Sequence, residues 1–322
     1  MKKENIKRTL PGEFYSPCNV KDKETTINNI EDARKEFLSF MNKATWIKRI
    51  VLLSFLALMG VLMIVLIINK DSVNKIFVPS LIAFFVYALF VLIFLSFYKK
   101  EREVVFSNYK KKYLLELDSY VFNKDGVTNL ELSYNTNLEK ELFNKFNVFD
   151  EVINVVFRDY VKGAYNKTNF KCVESLIRVY NSFSPFSGRL FIFNVKNNKG
   201  EGVIYLRNKG KGEVTSLEGL EPTMIKNLRS DFRVYLTSPS SSLITLNTVN
   251  ALNAFTREEL IDDIIIKINK EEIIVGISYV DEMMTIPYKN SFNEKYLDQY
   301  NNDVIKVFNL IENILSNKNY SL

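Results

Sequence analysis

Two runs without a single charge dominate the pattern of apolar and polar positions: Ile50 to Ile68 and Ile76 to Phe97, of 19 and 22 residues. At about 1.5 Å rise per residue, each reaches across the roughly 30 Å hydrocarbon core of a bilayer. Only a helix or a closed barrel satisfies its own backbone in lipid, so the pattern predicts two membrane-spanning helices joined by residues 69–75. Pro79 is read in the first turn of the second span, where a missing N–H is tolerated. Ahead of the hairpin, Ile27, Ile30, Phe37 and Met41 recur at helical spacing between charges of both signs. That predicts an amphipathic helix over 25–45, a stalk in preference to a Lys/Arg-rich membrane-surface helix. Behind the hairpin, Val105, Tyr109, Tyr113, Leu117 and Val121 lie four apart and predict a helix over 99–125. The two helices are expected to pair antiparallel, the second ending at Asn123–Gly126 with a C-terminal glycine. Residues 1–24 are polar, contain Pro11, Gly12 and Pro17, and read as a flexible tail.

From residue 126 the texture changes. Leu138 to Phe149 reads as a short helix. Alternation predicts strands at 153–163, at 164–165 and 170–176 around the turn Asn166–Asn169, at 188–195, and at 203–206. Further strands are expected at 232–236 and 242–246, then a capping box at Thr256–Glu259. Residues 264–268 and 273–278 form the clearest hairpin, with an edge strand at 283–288. Residues 292–315 close the chain as an amphipathic helix. The expected fold class is α+β: a two-helix transmembrane hairpin, then an antiparallel-sheet domain over 126–322 with flanking helices.

The net charge of +6 is unevenly distributed. Residues 1–49 carry +4, residues 99–112 carry +4, and residues 113–322 carry −3. The basic groups Lys99, Lys100, Arg102, Lys110, Lys111 and Lys112 form a rim beside the second span. Lys43, Lys48 and Arg49 precede the first. Both termini are therefore expected in the cytoplasm of a cell membrane protein with two spans. A nucleic-acid partner is not expected, since the soluble part is slightly acidic. The expected partners are the bilayer and a protein or a lipid headgroup. Heavy use of Lys, Asn and Ile points to a bacterial genome rich in A and T.

His is absent. That removes Ser-His-Asp and Cys-His catalysis and His-ligated metals. Cys18 and Cys172 are the only cysteines and read as reduced thiols. No catalytic, cofactor-binding or metal-binding residues are assigned. Ser107–Lys110 fits S-x-x-K without the accompanying motifs, and Lys209–Gly212 reads as a solvated turn. Glu258, Glu259, Asp262 and Asp263 read as a solvated acidic face in preference to a divalent-ion site. Arg158, Asp159, Lys162 and Glu174 lie on adjacent predicted strands and would form either surface ion pairs or a polar pocket.

The segments 159–163 (DYVKG), 170–174 (FKCVE), 186–193 (FSGRLFIF), 231–235 (DFRVY) and 273–279, with the closing helix, resemble the uncharacterised bacterial family known as domain of unknown function 3137. The resemblance implies two spans near the N-terminus followed by one cytoplasmic α+β domain. It implies no activity and no functional residues. The functional expectation is a membrane-anchored, non-catalytic binding or scaffolding module. The alternatives are a membrane-tethered enzyme using carboxylate and Lys groups, or an accessory subunit of a membrane complex.

Overall fold

The computed structural model describes residues 14–15, 22–68, 73–138, 146, 148–149, 152–179, 186–197, 200–206, 217–238, 243–255, 261–279, 286, 288–315 and 320–321. The stalk and span patterns merge into two long helices, α1 (Lys23–Ile68) and α2 (Val73–Phe122). Asp22 caps α1, accepting from the Thr25 N–H at 2.8 Å. Because α2 begins at Val73, Pro79 sits inside the helix and not in its first turn.

The chain forms two compact units. The helical unit holds Ile27–Tyr113 with Pro287–Phe292. Its apolar section carries two helices long and apolar enough to cross a membrane. Leu53, Leu56, Ile64, Phe85, Phe90 and Phe97 are each more than half exposed along it. Apolar exposure on this scale marks contact with lipid or a partner. The facing sides pack through Phe55, stacked on Tyr87 at 6.0 Å and tilted against Phe84 at 5.6 Å. A hydroxyl pair, Ser54 with Tyr87 at 2.5 Å, adds the polar contact that helices in lipid favour.

The stalk section of that unit is aromatic. Phe37 stacks on Tyr109 at 5.0 Å and meets Tyr288 edge-on at 5.6 Å. Arg34 donates to both carboxylate oxygens of Glu31 and to the Tyr288 carbonyl, while Glu31 accepts the Phe292 N–H. Residues 288–292 are thereby clamped between the helices, as the heptad-like strip requires to complete its burial. Of the basic rim, Lys112 reaches Glu36 at 2.7 Å as an exposed pair, worth at most about 1 kcal/mol.

The second unit is a sheet with helices on one face. Its strands are β1 (Phe14–Tyr15), β2 (Val127–Leu138), β3 (Val152–Tyr165), β4 (Thr168–Val179), β5 (Phe186–Asn194), β6 (Lys196–Asn197), β7 (Gly202–Leu206), β8 (Glu221–Pro222), β9 (Arg233–Leu236), β10 (Ile261–Ile268), β11 (Glu272–Tyr279) and β12 (Tyr320–Ser321). Ten of them form one sheet in the order β1-β2-β3-β4-β5-β11-β10-β7-β9-β8, and β12 pairs with β6. The pairings are antiparallel, so the α+β reading holds. The helices α3 (Leu246–Asn253) and α4 (Glu294–Leu315) pack on each other.

Alternation along β4 and β5 sorts side chains between the two faces. Phe170, Cys172 and Glu174 oppose Phe193, Phe191 and Arg189 on one face, while Val173 opposes Leu190 on the other. On the first face Phe122 of α2 and Phe308 of α4 close over Phe170 at 5.8 and 5.3 Å, and Tyr165 stacks on Phe308 at 4.3 Å. On the second, Val173, Leu190, Ile192, Val203, Ile265 and Ile274 pack with Phe146, Phe149 and Phe186.

Several expectations need correction. Val127–Leu138 is a strand, although its polar residues show no clear alternation. Residues 243–246 are not a strand: Thr245 accepts from the Thr248 N–H at 3.3 Å and caps α3. The β3–β4 turn is only Asn166–Lys167, both with positive φ (46° and 71°), which lengthens both strands toward it. Phe14 and Tyr15 of the tail are a strand. The sheet unit also takes in α2 from Leu114 onward, so its boundary precedes residue 126. The capping box at 256–259 and most of the helix expected at 138–149 and of the edge strand expected at 283–288 lie outside the described residues.

Candidate functional site

A cluster of ionisable side chains is buried on the helix-covered face of the sheet, in a place where apolar packing would be the ordinary solution. Asp118 comes from α2, Tyr134 from β2, Asp159 from β3, Cys172 from β4, Arg189 from β5, Tyr279 from β11, and Gln299, Tyr300 and Asp303 from α4. All are at most 8 % exposed.

Asp118 is its centre. Its carboxylate accepts from the Tyr300 hydroxyl at 3.2 Å and the Tyr134 hydroxyl at 3.4 Å. Arg189 Nη2 lies 3.8 Å from the same carboxylate, and its guanidinium stands 5.3 Å from the Tyr300 ring. Burial pushes the Asp118 carboxyl up to about 6, with Arg189 and the Tyr300 hydroxyl pulling the other way. Burial also raises the three tyrosines well above their ordinary value, so they stay neutral donors. A neighbouring pair continues the cluster along α4, where Gln299 Nε2 donates to Asp303 Oδ1 at 2.9 Å. Arg189 Nη1 is buried and has no hydrogen-bond partner among the described residues.

Asp159 joins this face through a bulge. The β3–β4 register slips between Arg158 and Tyr160, and Asp159 has φ of 49°. The extra residue puts both Arg158 and Asp159 on the side of Glu174, whereas strict alternation would send one away. Glu174 opposes Arg158 on one neighbouring strand and Arg189 on the other. It accepts from Arg158 Nη2 at 2.8 Å.

The four polar candidates of the sequence therefore divide. Arg158, Asp159 and Glu174 share a face. Lys162 lies on the opposite face, opposed to Lys171, and pairs with Glu131 at 3.0 Å near the surface. Asp118, Arg189 and Tyr300 were missed. The available signal was a lone Asp between Leu117 and Val121 on the apolar strip, and a lone Arg in the apolar run of β5.

Chemically, the cluster is suited to fastening. Asp118 ties α2 to β5, β2 and α4 at one point. Cys172 is fully buried and its thiol is pushed up to about 12 by burial, which leaves it a poor nucleophile at neutral pH. Among the described residues no group of His, Cys, Asp and Glu is arranged to hold a metal ion.

No family model matches the chain, and none of the curated proteins is a significant match in sequence. Among solved structures, the mycobacterial trehalose monomycolate transport factor A, TtfA, superposes with a TM-score of 0.34 at 14% identity, over 56% of this chain and 88% of that one. An overlap that loose assigns this chain neither fold nor function.

Proposed function

We propose that the chain is a membrane-anchored module that binds or scaffolds a protein partner and does not transform a substrate. The observation that carries the reading is the pair of long helices, each with an exposed apolar section long enough to cross a membrane, the second continuing as one helix to Phe122. The ionic cluster supports it, because Asp118 is engaged by Tyr300, Tyr134 and Arg189 beneath α2 and α4. Basic residues flank both outer ends of the hairpin, which supports N- and C-termini in the cytoplasm and only residues 69–75 outside. Membership of the bacterial family of domain of unknown function 3137 is part of the same reading and rests on the segments quoted above.

The test is fractionation with fusion reporters. The full chain stays in the membrane pellet after alkaline carbonate washing, and reporters at residue 20 and residue 322 both read cytoplasmic. Release by carbonate overturns the anchor. An external signal at residue 322 overturns the orientation.

A further inference from the structure

The contacts between α1 and α2 sort their side chains onto two sides of the hairpin. On one side Phe37 meets Phe106 at 5.7 Å and Phe55 meets Phe84 at 5.6 Å. On the other, Glu36 pairs with Lys112 and Ser54 with Tyr87. At 3.6 residues per turn, residues 4, 7 or 11 apart share a stripe. Lys48 lies 11 after Phe37 and 7 before Phe55, so it belongs to the phenylalanine side, with Arg49 next to it and further from α2. Lys99 and Arg102 lie 7 and 4 before Phe106 and belong to that side too. Lys43 lies 7 after Glu36 and 11 before Ser54, on the other side. Lys100 is turned about 100° beyond Lys99, onto the back of α2.

Lys48, Arg49, Lys99 and Arg102 are all exposed. Among the described residues none of them pairs with a carboxylate, although Glu101 and Glu103 are close in sequence. Elsewhere in the same unit Lys112 is matched by Glu36 and Arg34 by Glu31. Depth sharpens the contrast. Counted back 11 residues from Phe106 and on 7 from Phe84, the level of Lys48 falls between Val91 and Leu95, where α2 is still apolar. A cation at that level is costly unless it stretches to the membrane surface and meets an anion there. Lys99 lies roughly 6–12 Å further along the axis, a gap that two extended Lys side chains closing on one anion can bridge. Deeper on the same side come Leu52, four after Lys48, and Leu92, seven before Lys99, which are 57% and 65% exposed.

We propose that this side of the hairpin binds one anionic phospholipid, its phosphate held among Lys48, Arg49, Lys99 and Arg102 and an acyl chain laid along Leu52 and Leu92. Charge complementarity selects the headgroup: four cations without a counter-charge need a net anion, and a zwitterionic lipid brings a cation of its own. The leucines select a lipid over a soluble anion, which would leave them bare. A lipid held there bridges α1 and α2 where they leave the apolar section. The inference rests on the membrane-anchored reading above and adds a lipid to the protein partner proposed there.

The test is native mass spectrometry of the full chain in detergent micelles, given equal amounts of phosphatidylglycerol and phosphatidylcholine with the same acyl chains. One phosphatidylglycerol is retained per chain, in preference to phosphatidylcholine by about tenfold or more. Lys48→Gln with Lys99→Gln abolishes the preference. Lys43→Gln with Lys100→Gln, which removes as much charge off this side, keeps it. Lys48→Arg with Lys99→Arg also keeps it, and inorganic phosphate at millimolar concentration does not displace the lipid. Equal retention of the two lipids overturns the proposal. So does equal loss in the two glutamine variants, which assigns the effect to the rim as a whole, or loss in the arginine variant, which assigns it to the fold. Displacement by inorganic phosphate overturns it as well, by assigning the cations to a free anion. Carbonate fractionation reads the anchor separately. A chain that stays in the pellet without a lipid preference loses this site and keeps the anchor, and a chain released by carbonate loses the anchor whatever it binds in micelles.

Discussion

At the scale of the residue, Asp118 carries the most consequence. A carboxyl raised from 3.8 to about 6 binds its proton more tightly folded than unfolded. Its contribution to stability is therefore full below about pH 4 and is lost as pH rises through about 6. Asp118→Asn removes that dependence while leaving Arg189 without its counter-charge at every pH. The wild type's advantage over the variant should be largest near pH 4 and shrink by up to about 3 kcal/mol by pH 7. Thermal unfolding of both full-length proteins in detergent across that range measures it. An advantage that widens with pH would mean that the folded carboxyl titrates below its ordinary value. Gly188 is the second sensitive residue. A Cβ there would lie 1.8 Å from the Ile277 carbonyl oxygen, because β5 and β11 approach closely at that point. Gly188→Ala should cost about 1–3 kcal/mol through forced backbone shifts, read as a lower denaturation midpoint.

At the scale of the element, what was legible in the sequence depended on how strongly one period dominated. The two apolar runs are recognised by unbroken length, and the stalk strip, the β10–β11 hairpin and the closing helix by clean periods; two long apolar helices, the hairpin and the closing helix are all present. Strand β2 was illegible because two bulges break its alternation and its edge position relaxes the demand for apolar residues. Residues 242–246 misled because Leu243 and Ile244 look like strand, while Thr245 supplies a helix cap that settles the matter locally. The cluster around Asp118 was illegible for a different reason. Its members come from α2, β2, β3, β4, β5, β11 and α4, and no spacing in one segment encodes that convergence. The boundary at residue 126 was misplaced because the end of α2 looks like more stalk, yet Leu114, Leu117, Val121 and Phe122 are buried in the sheet unit. Each such side chain is worth about 1.5–3 kcal/mol, and leaving Arg189 buried without Asp118 costs up to about 3–5 kcal/mol more. Together these are comparable with the whole stability of an ordinary domain, about 5–15 kcal/mol. A fragment of residues 126–322 should therefore be unfolded by circular dichroism, and one of residues 114–322 folded. A cooperative transition in the shorter fragment would show that the α2 segment is dispensable.

At the scale of the whole molecule, the proposed orientation follows from the distribution of charge and can be tested with thiols. The flanks of the hairpin carry Lys43, Lys48 and Arg49 on one side and Lys99, Lys100 and Arg102 on the other, against Lys70 and Lys75 in the loop. If the helices cross a membrane, the excess at the flanks predicts both outer ends on the cytoplasmic side. Cys172 is buried with its thiol near 12, so it resists labelling in the folded chain, and Cys18→Ser leaves a nearly silent background. Met224 is fully exposed on the sheet unit and accepts a reporter thiol without disturbing packing. In that background, Asp71→Cys should react with a membrane-impermeant maleimide on intact cells, whereas Met224→Cys should react only after the membrane is opened. Labelling of Met224→Cys on intact cells would place the sheet unit outside, and the lysines of the loop would then outweigh those of the flanks.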